Sequence, residues 1–363
     1  TFAYEISGSE QQEIYDINPD LVLLCGGTDG GNKEVIISNA KHLVAIDRPF
    51  TTIVAGNKSA NDDIKAIFNE AGKDVVITEN VMPQFNKLNI EPARDAIRQL
   101  FISRIIEAKG LNILQAMTPY KIIPTPLAVL HACELLSKGT KTQQGRGDLL
   151  AVDIGGATTD VYSMASGEPT VDNTMLKGLP EPWMKRTVEG DLGMRYSLTH
   201  VYEQIPGADN PENEYMQQVK AWVELCTARP DTLAAPGSEE EKLEEFLGRS
   251  AVSMAVERHC GRIADVFTPL GLMHTQEGKD LMNVPSVIGI GGVLRNSRRP
   301  EEILKGSLYD FMHPECTKPR KPKFYLDQKY IFASMGLLRS INPELAFELL
   351  DKETVEIGCN ATV

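Results

Sequence analysis

The sequence predicts an α/β protein in which mixed sheets are flanked by helices. Through the first third of the chain, short apolar runs ending in glycine alternate with stretches of helical spacing, the pattern of a mostly parallel sheet. From Leu149 onward, apolar runs close on a carboxylate or on paired glycines. With 363 residues, 42% hydrophobic and 24% charged, the chain is long enough for two or three compact units of ordinary soluble composition.

Taken in order, "DLVLLCGG" reads as a strand, "GNKEVIISNAKHL" as a helix and "FTTIVAGNK" as a second strand. "SANDDIKAIFNEAG" reads as a helix with Ser59 as its N-cap, and "KDVVITENV" as a third strand. A longer helix spans "EPARDAIRQLFISRIIEAKG", with Pro92 suited to its first turn and Gly110 past its end. Residues 1–120 are therefore expected to form a Rossmann-like α/β subdomain.

"TPLAVLHACELLSKG" reads as a connecting helix that ends at Gly139, and the polar tract "KGTKTQQGRGD" as a linker. The connection then covers residues 121–147, with the main boundary in that tract. Residues 148–363 form the second lobe, which carries a helical insertion. Ile205 to about Pro236 mixes a polar loop with one short amphipathic helix. "SEEEKLEEFLGRSAVSMAVERHCGRIADVF" reads as one long helix. Leu243, Phe246, Leu247, Ala251, Met254 and Ala255 mark its buried stripe, and its acidic start suits the helix dipole. The basic run "KPRKPK" at 318–323 reads as a short solvated loop, and no tandem repeat is visible.

A formal net charge of −13 and a pI near 5.1 give little support to a nucleic-acid partner. No apolar stretch approaches the roughly 20 residues that span a bilayer, so no membrane role is expected. Cys25, Cys133, Cys226, Cys260, Cys316 and Cys359 are far apart and form no C-x-x-C pair, as expected of reduced thiols in a cytoplasmic protein. The six histidines have no zinc-like spacing. The oligomeric state is left open.

Three glycine-rich sites carry the chemistry. In "CGGTDGGNKE", the loop Gly26, Gly27, Thr28, Asp29, Gly30 and Gly31 joins a strand to a helix and could present N–H groups to an anion or to a partner. It is not a Walker A loop, because Asn32 stands where lysine is required, and it contains no G-x-G-x-x-G. A tight, packed turn explains it equally well.

In "DIGGATTD", Gly155, Gly156 and Ala157 can form a hairpin whose N–H groups wrap a phosphate, with Thr158 and Thr159 adding hydroxyls. Asp153 is then placed to hold a magnesium ion or its water. A plain Gly-Gly hairpin is the alternative, but it does not account for an acid at the end of a buried strand. In "VIGIGGVLRNS", Gly291 and Gly292 let a flat base approach the backbone, and Arg295 can stack on it.

In this order, the motifs resemble those of the actin, sugar-kinase and heat-shock-chaperone ATPase superfamily, whose fold is the actin-like, ribonuclease H-like one. "PTPLAVLHACELL" looks like its first connecting helix and "DIGGATTD" like its second phosphate hairpin. "GIGGVLRN" looks like its adenosine motif, and "YIFASMGLL", with Ala333 and Gly336, like its last connecting helix. "VEGDLGMR" resembles the Gly-Asp turn set beside the phosphates, which brings Gly190, Asp191 and Gly193 into the site, with Asp153 and Asp191 as the catalytic carboxylates. The resemblance implies ATP or ADP with magnesium as cofactors.

Within the superfamily, "GGTDGGNKEVI", "DIGGATTDVYS", "RTVEGDLGMR", "VERHCGRI" and "GIGGVLRN" are most similar to the MutL/GlmL accessory proteins, over nearly the whole chain. That likeness implies an ATP-dependent reactivating chaperone. Its partners would be the subunits of an adenosylcobalamin-dependent mutase or aminomutase, such as glutamate mutase or ornithine aminomutase, which it helps to exchange damaged cobalamin. A small-molecule kinase on the same fold and a non-catalytic scaffold are the alternatives. The family's first phosphate motif, D-x-G-S/T-x-x-T-K, is not found, and the chain starts at Thr1. The expectation is that an N-terminal segment is missing and that this chain alone binds ATP weakly and hydrolyses it poorly.

Overall fold

The structure, a computed structural model, describes residues 1–108, 112–179, 181–208, 210–269 and 271–358, the side chains of 105–108, 112 and 114 excepted. The chain divides into two compact units, Thr1–Ile123 and Pro124–Val363.

The first unit runs α1 (Gly8–Ile17), β1 (Leu21–Leu24), α2 (Glu34–Ala45), β2 (Thr51–Val54), α3 (Asn61–Glu70), β3 (Val75–Ile77), α4 (Glu91–Ala108) and α5 (Asn112–Ala116). Ser7 and Glu10 form a reciprocal capping box that starts α1. The strands make a parallel sheet in the order β1-β2-β3, so the intervening helices are crossovers that bury one face on it. Ile36, Ala40 and Leu43 of α2 join Ile64 and Phe68 of α3 against Leu24 and Val54. Fully burying a side chain such as Phe68 is worth about 2–3 kcal/mol.

The strand and helix expectations for this unit correspond to observed elements, with one correction. Ser59 is not the N-cap of α3. Asn57 accepts the Ser59 N–H at 3.0 Å and opens a 3₁₀ turn, Lys58–Ala60, which leads into the helix. Gly110 and Cys359 lie outside the described residues.

The second unit begins with α6 (Thr125–Lys138) and the hairpin β4 (Leu149–Ile154) and β5 (Thr159–Met164). It continues through β6 (Thr174–Lys177), β7 (Met184–Glu189), α7 (Leu198–Glu203), α8 (Glu214–Ala228) and α9 (Glu239–His259). There follow β8 (Arg262–Thr268), β9 (Gly271–Glu277), β10 (Ser286–Ile290), α10 (Gly292–Asn296) and α11 (Pro300–Leu304). The last elements are β11 (Lys323–Asp327), α12 (Phe332–Leu338), α13 (Pro343–Glu353) and β12 (Thr354–Gly358).

Its main sheet is mixed, in the order β12-β11-β10-β4-β5-β7. β11, β10 and β4 are parallel, while β5 and β7 continue antiparallel. β6, β9 and β8 form a smaller sheet. The core is built where α9 (Leu247, Ala251, Val252, Ala255) meets Leu150, Val152 and Val161 of the main sheet. Leu247→Ala there would cost about 3 kcal/mol.

Gly336 fixes the approach of α12 to α6. A Cβ at that position would overlap the carbonyl of Ala128, so the small residue is a packing requirement.

Three expectations for this unit are corrected. The chain divides at 123/124, because the tract 138–148 is folded. Thr140 N–H donates to Gln143 O at 2.8 Å, the side chains of Thr140 and Thr142 bond Glu344, and Arg146 pairs with Asp351 at 2.7 Å. The long helix ends at His259, where Cys260 turns extended, and "RIADVF" is a strand paired with β9; the chain passes so close to Gly278 and Lys279 that Gly261 has no room for a Cβ. Lys318 in "KPRKPK" is 2% exposed, held by Ser253 Oγ and the Gly306 carbonyl.

Candidate functional site

Parallel strands deliver their C-terminal ends to one edge of a sheet, the usual position of a ligand crevice in α/β proteins. In the main sheet, that edge carries Asp153 on β4, the glycine pair after β10 and Asp327 at the end of β11. Ile290 and Asp153 are register partners, so the hairpin and the second glycine turn are adjacent. Gly291 has φ 113°, and a Cβ there would overlap the Ile154 carbonyl, so this junction admits only glycine.

The hairpin turn is closed by Gly155 N–H donating to Thr158 O at 2.9 Å. The loop 190–196 is bonded to its outer side. The N–H groups of Arg195 and Tyr196 donate to Gly156 O at 2.8 Å, and that of Met194 donates to Gly155 O at 3.0 Å. Ser197 Oγ donates to Ala157 O at 2.8 Å, and Thr159 Oγ1 to Leu192 O at 2.5 Å. Gly193 lies so close to Ala157 that a Cβ would collide with its backbone.

Between the two turns is a cavity of about 250 Å³. Gly155, Gly156 and Gly292 line it on the sheet side, with Tyr330 beside them. Leu233, Ala234 and Val293 give it an apolar wall, and Asn296 and Ser297 add polar groups. Glu244 and Glu241 of α9 also line it. They are occupied by Arg195 at 2.5 Å and Arg298 at 3.0 Å. Tyr330 has φ 57°, a strained conformation for a bulky residue and one that concentrates at functional sites.

Asp153 lies one residue behind the lining. Burial, reinforced by the charges of Asp160 and Asp327, pushes its carboxyl up to about 7. Asp160 is neutralised by Arg186 at 2.7 Å. Asp327 accepts the N–H groups of Ile331 and Phe332 at 2.9 and 3.0 Å, and burial raises its pKa against those bonds. Among the described residues, no group of three or more carboxylate, histidine or cysteine side chains converges on a metal position. Asp153 is thus the carboxylate at this edge without a cation or N–H partner among the described residues. A single hard oxygen ligand suits magnesium, which keeps its waters and arrives with phosphate oxygens.

The other residues singled out in the sequence are placed as follows. Thr158 Oγ1 donates to Asp160 at 3.3 Å. Asp191 does not line the cavity. Arg258 grips both its oxygens, at 2.8 and 3.0 Å, and with Gln204 holds its pKa down to about 2. Gly190 accepts from Ser197 Oγ at 3.0 Å. Arg295 is exposed on α10, outside the lining.

The Gly26–Gly31 loop follows β1 in the first unit and is turned on itself. Asn57 accepts from Gly30 N–H and donates to Gly31 O, while Asn80 donates to Gly27 O and to Asp29. Gly27, at φ 69°, has no room for a Cβ beside Asn32.

Sequence reasoning missed Asp327, Tyr330 and the wall at Leu233, Ala234, Asn296 and Ser297. "KFYLD" carried a usable signal, since it ends an apolar run on a carboxylate as "LLAVD" does.

The family model described as "MutL protein" matches residues 1–354. Protein MutL of Clostridium tetanomorphum is 45% identical over 359 residues, covering 98% of this chain and 77% of that protein.

Proposed function

Because the chain belongs to the MutL protein family, we propose that it is an ATP-dependent accessory protein of the actin-like fold. On this reading it reactivates an adenosylcobalamin-dependent mutase or aminomutase. The observation that carries the nucleotide part is the adjacency of the Gly155–Gly156 and Gly291–Gly292 turns, with Gly155, Gly156 and Gly292 lining one cavity and an unpaired carboxylate directly behind.

The apolar wall of Leu233, Ala234 and Val293 suits the face of a base. Gly155 and Gly156 line the same cavity, so phosphates would lie along the backbone of this turn. The cavity is small beside the ~300–1,000 Å³ of common ligand pockets, so it holds the base end while the phosphates extend toward Asp153. Magnesium bound there would neutralise phosphate charge. The role of Asp153 is to hold that ion or its water, which needs the ionised carboxylate. Asp191 serves as a positioning residue: clamped by Arg258, it fixes the loop that holds the hairpin from outside.

One observation favours a second reading. A carboxyl near pH 7 suits a general base, as a small-molecule kinase requires. Pull-down of the protein from its native extract, with and without ATP, separates the two. Recovery of cobalamin-dependent mutase subunits in amounts that ATP alters is expected. Recovery of no mutase, with phosphorylation of a supplied metabolite, would overturn the chaperone reading.

A further inference from the structure

The second unit holds another cavity, of about 630 Å³. One wall is a face of α9, where Phe246, Arg249, Ser250 and Ser253 follow at helical spacing. The opposite wall is the segment from Lys305 to Phe311, with Lys318 entering from the stretch before β11. Gly306 lets the walls meet, since a Cβ there would overlap the Arg249 carbonyl.

The charges in this cavity are unbalanced. Arg249, Lys305 and Lys318 line it against a single lining carboxylate, Asp310. Lys305 is paired with Glu302 at 2.7 Å. Among the described residues, no carboxylate lies within ion-pair distance of Arg249, which acts on Glu302 only from farther away. Lys318 is 2% exposed, yet its ammonium meets only neutral oxygens, Ser253 Oγ at 3.1 Å and Gly306 O at 3.3 Å. A buried ammonium with no carboxylate in direct contact is costly, and burial lowers the pKa of Lys318 against the more distant pull of Cys260, Glu257 and Asp310. An oxyanion in the cavity would add a counter-charge in direct contact.

Both walls also carry aromatic rings. Tyr309 and Phe311 pack edge to face at 5.3 Å, Arg320 stacks on Tyr309 at 5.0 Å, and Phe246 faces the same space. Rings along the side of a cationic floor accommodate a flat ligand with one charged end.

We propose that this cavity is a second ligand site, which takes a small molecule carrying an oxyanion group next to a planar ring. It stands independently of the nucleotide reading, since it shares no lining residue with the first cavity.

The test is a calorimetric titration of the whole chain with phenyl phosphate, inorganic phosphate and benzyl alcohol. Saturable binding of phenyl phosphate is expected, tighter than for either part alone. Arg249→Glu should weaken it by about tenfold or more, the scale of one charge-assisted contact. Lys242→Glu, a reversal on an exposed part of the same helix, should leave it unchanged. Lys318→Met should weaken binding likewise; if that variant does not fold, Arg249→Glu decides alone. Absence of saturable binding, or equal affinity in wild type and Arg249→Glu, would overturn the proposal. Inorganic phosphate binding as tightly as phenyl phosphate would overturn the aromatic part.

Discussion

Asp153 and Asp160 face each other as register partners across the β4–β5 hairpin, yet only Asp160 has a cation, Arg186. Two carboxylates directly opposite repel, and one guanidinium cannot serve both equally. Burial, reinforced by the charges of Asp160 and Asp327 and only partly offset by Arg186, therefore pushes the Asp153 carboxyl up to about 7. On the proposed reading, a cation arriving with a ligand would compensate this acid.

That arrangement makes Asp153 a stability liability of known sign. Its folded pKa, about 7, lies above the ordinary 3.8, so between those values the folded state binds more protons than the unfolded one. Stability falls as pH rises through that window. Asp153→Asn should raise stability at pH 8 by up to about 4 kcal/mol, roughly 1.4 kcal/mol per unit, and by little at pH 4. Thermal melts of both proteins at the two pH values check this. A variant less stable at pH 8 would refute it.

Gly291 beside the site and Gly336 in the α12–α6 contact should both prove required. Gly291→Ala forces a side chain into a left-handed conformation against the Ile154 carbonyl, and Gly336→Ala drives a methyl into the Ala128 carbonyl. Each should cost about 1–3 kcal/mol or more, measured by denaturant titration.

A buried cluster ties β5, β7 and α9 together. His259 bonds Ser163 and Thr187 at 2.8 Å each, and Lys279 reaches the Pro182 and Trp183 carbonyls. Burial, with the charges of Lys185 and Lys279 nearby, holds His259 well below its ordinary 6.5. Below pH 6.5, the unfolded chain gains a proton that the folded one refuses, so stability is full above that pH and declines as pH falls. His259→Gln should flatten the decline between pH 6.5 and 5 in equilibrium unfolding, and an unchanged slope would assign the loss to other groups.

Arg258 sets the ionisation of Asp191 from 67 residues away in sequence. In Arg258→Ala, the Asp191 carboxyl should return from about 2 toward 3.8, readable by NMR titration. The loop 190–196 should lose protection from hydrogen exchange at the same time.

What the sequence made legible was local. A hairpin around Gly155–Gly156, a turn at Gly291–Gly292 and a close-packed helix at Ala333–Gly336 are each written in a few adjacent residues. The division at 123/124 was not legible, because the polar tract 138–148 has a linker's composition and is nevertheless hydrogen-bonded to α13. The far wall of the cavity, from Leu233 and Ala234 and from Glu241 and Glu244, comes from a loop and a helix some eighty residues after the hairpin, and no short motif marks it. Asp327 could have been found. Its strand ends as that of Asp153 does, but without the glycines that drew attention to the latter.

Gly292 gives the most direct test of nucleotide binding. It lines the cavity, its φ is ordinary, and a Cβ built there meets nothing within 4 Å. Gly292→Val should therefore fold as the wild type does while filling the space that the proposed reading gives to the base. Calorimetric titration with magnesium and ADP should show saturable binding to the wild type. For Gly292→Val at unchanged melting temperature, it should show an affinity lower by about tenfold or more, a loss of some 1.4 kcal/mol. Equal affinity in the two proteins, or no binding by the wild type at millimolar ADP, would contradict the assignment of this cavity to a nucleotide.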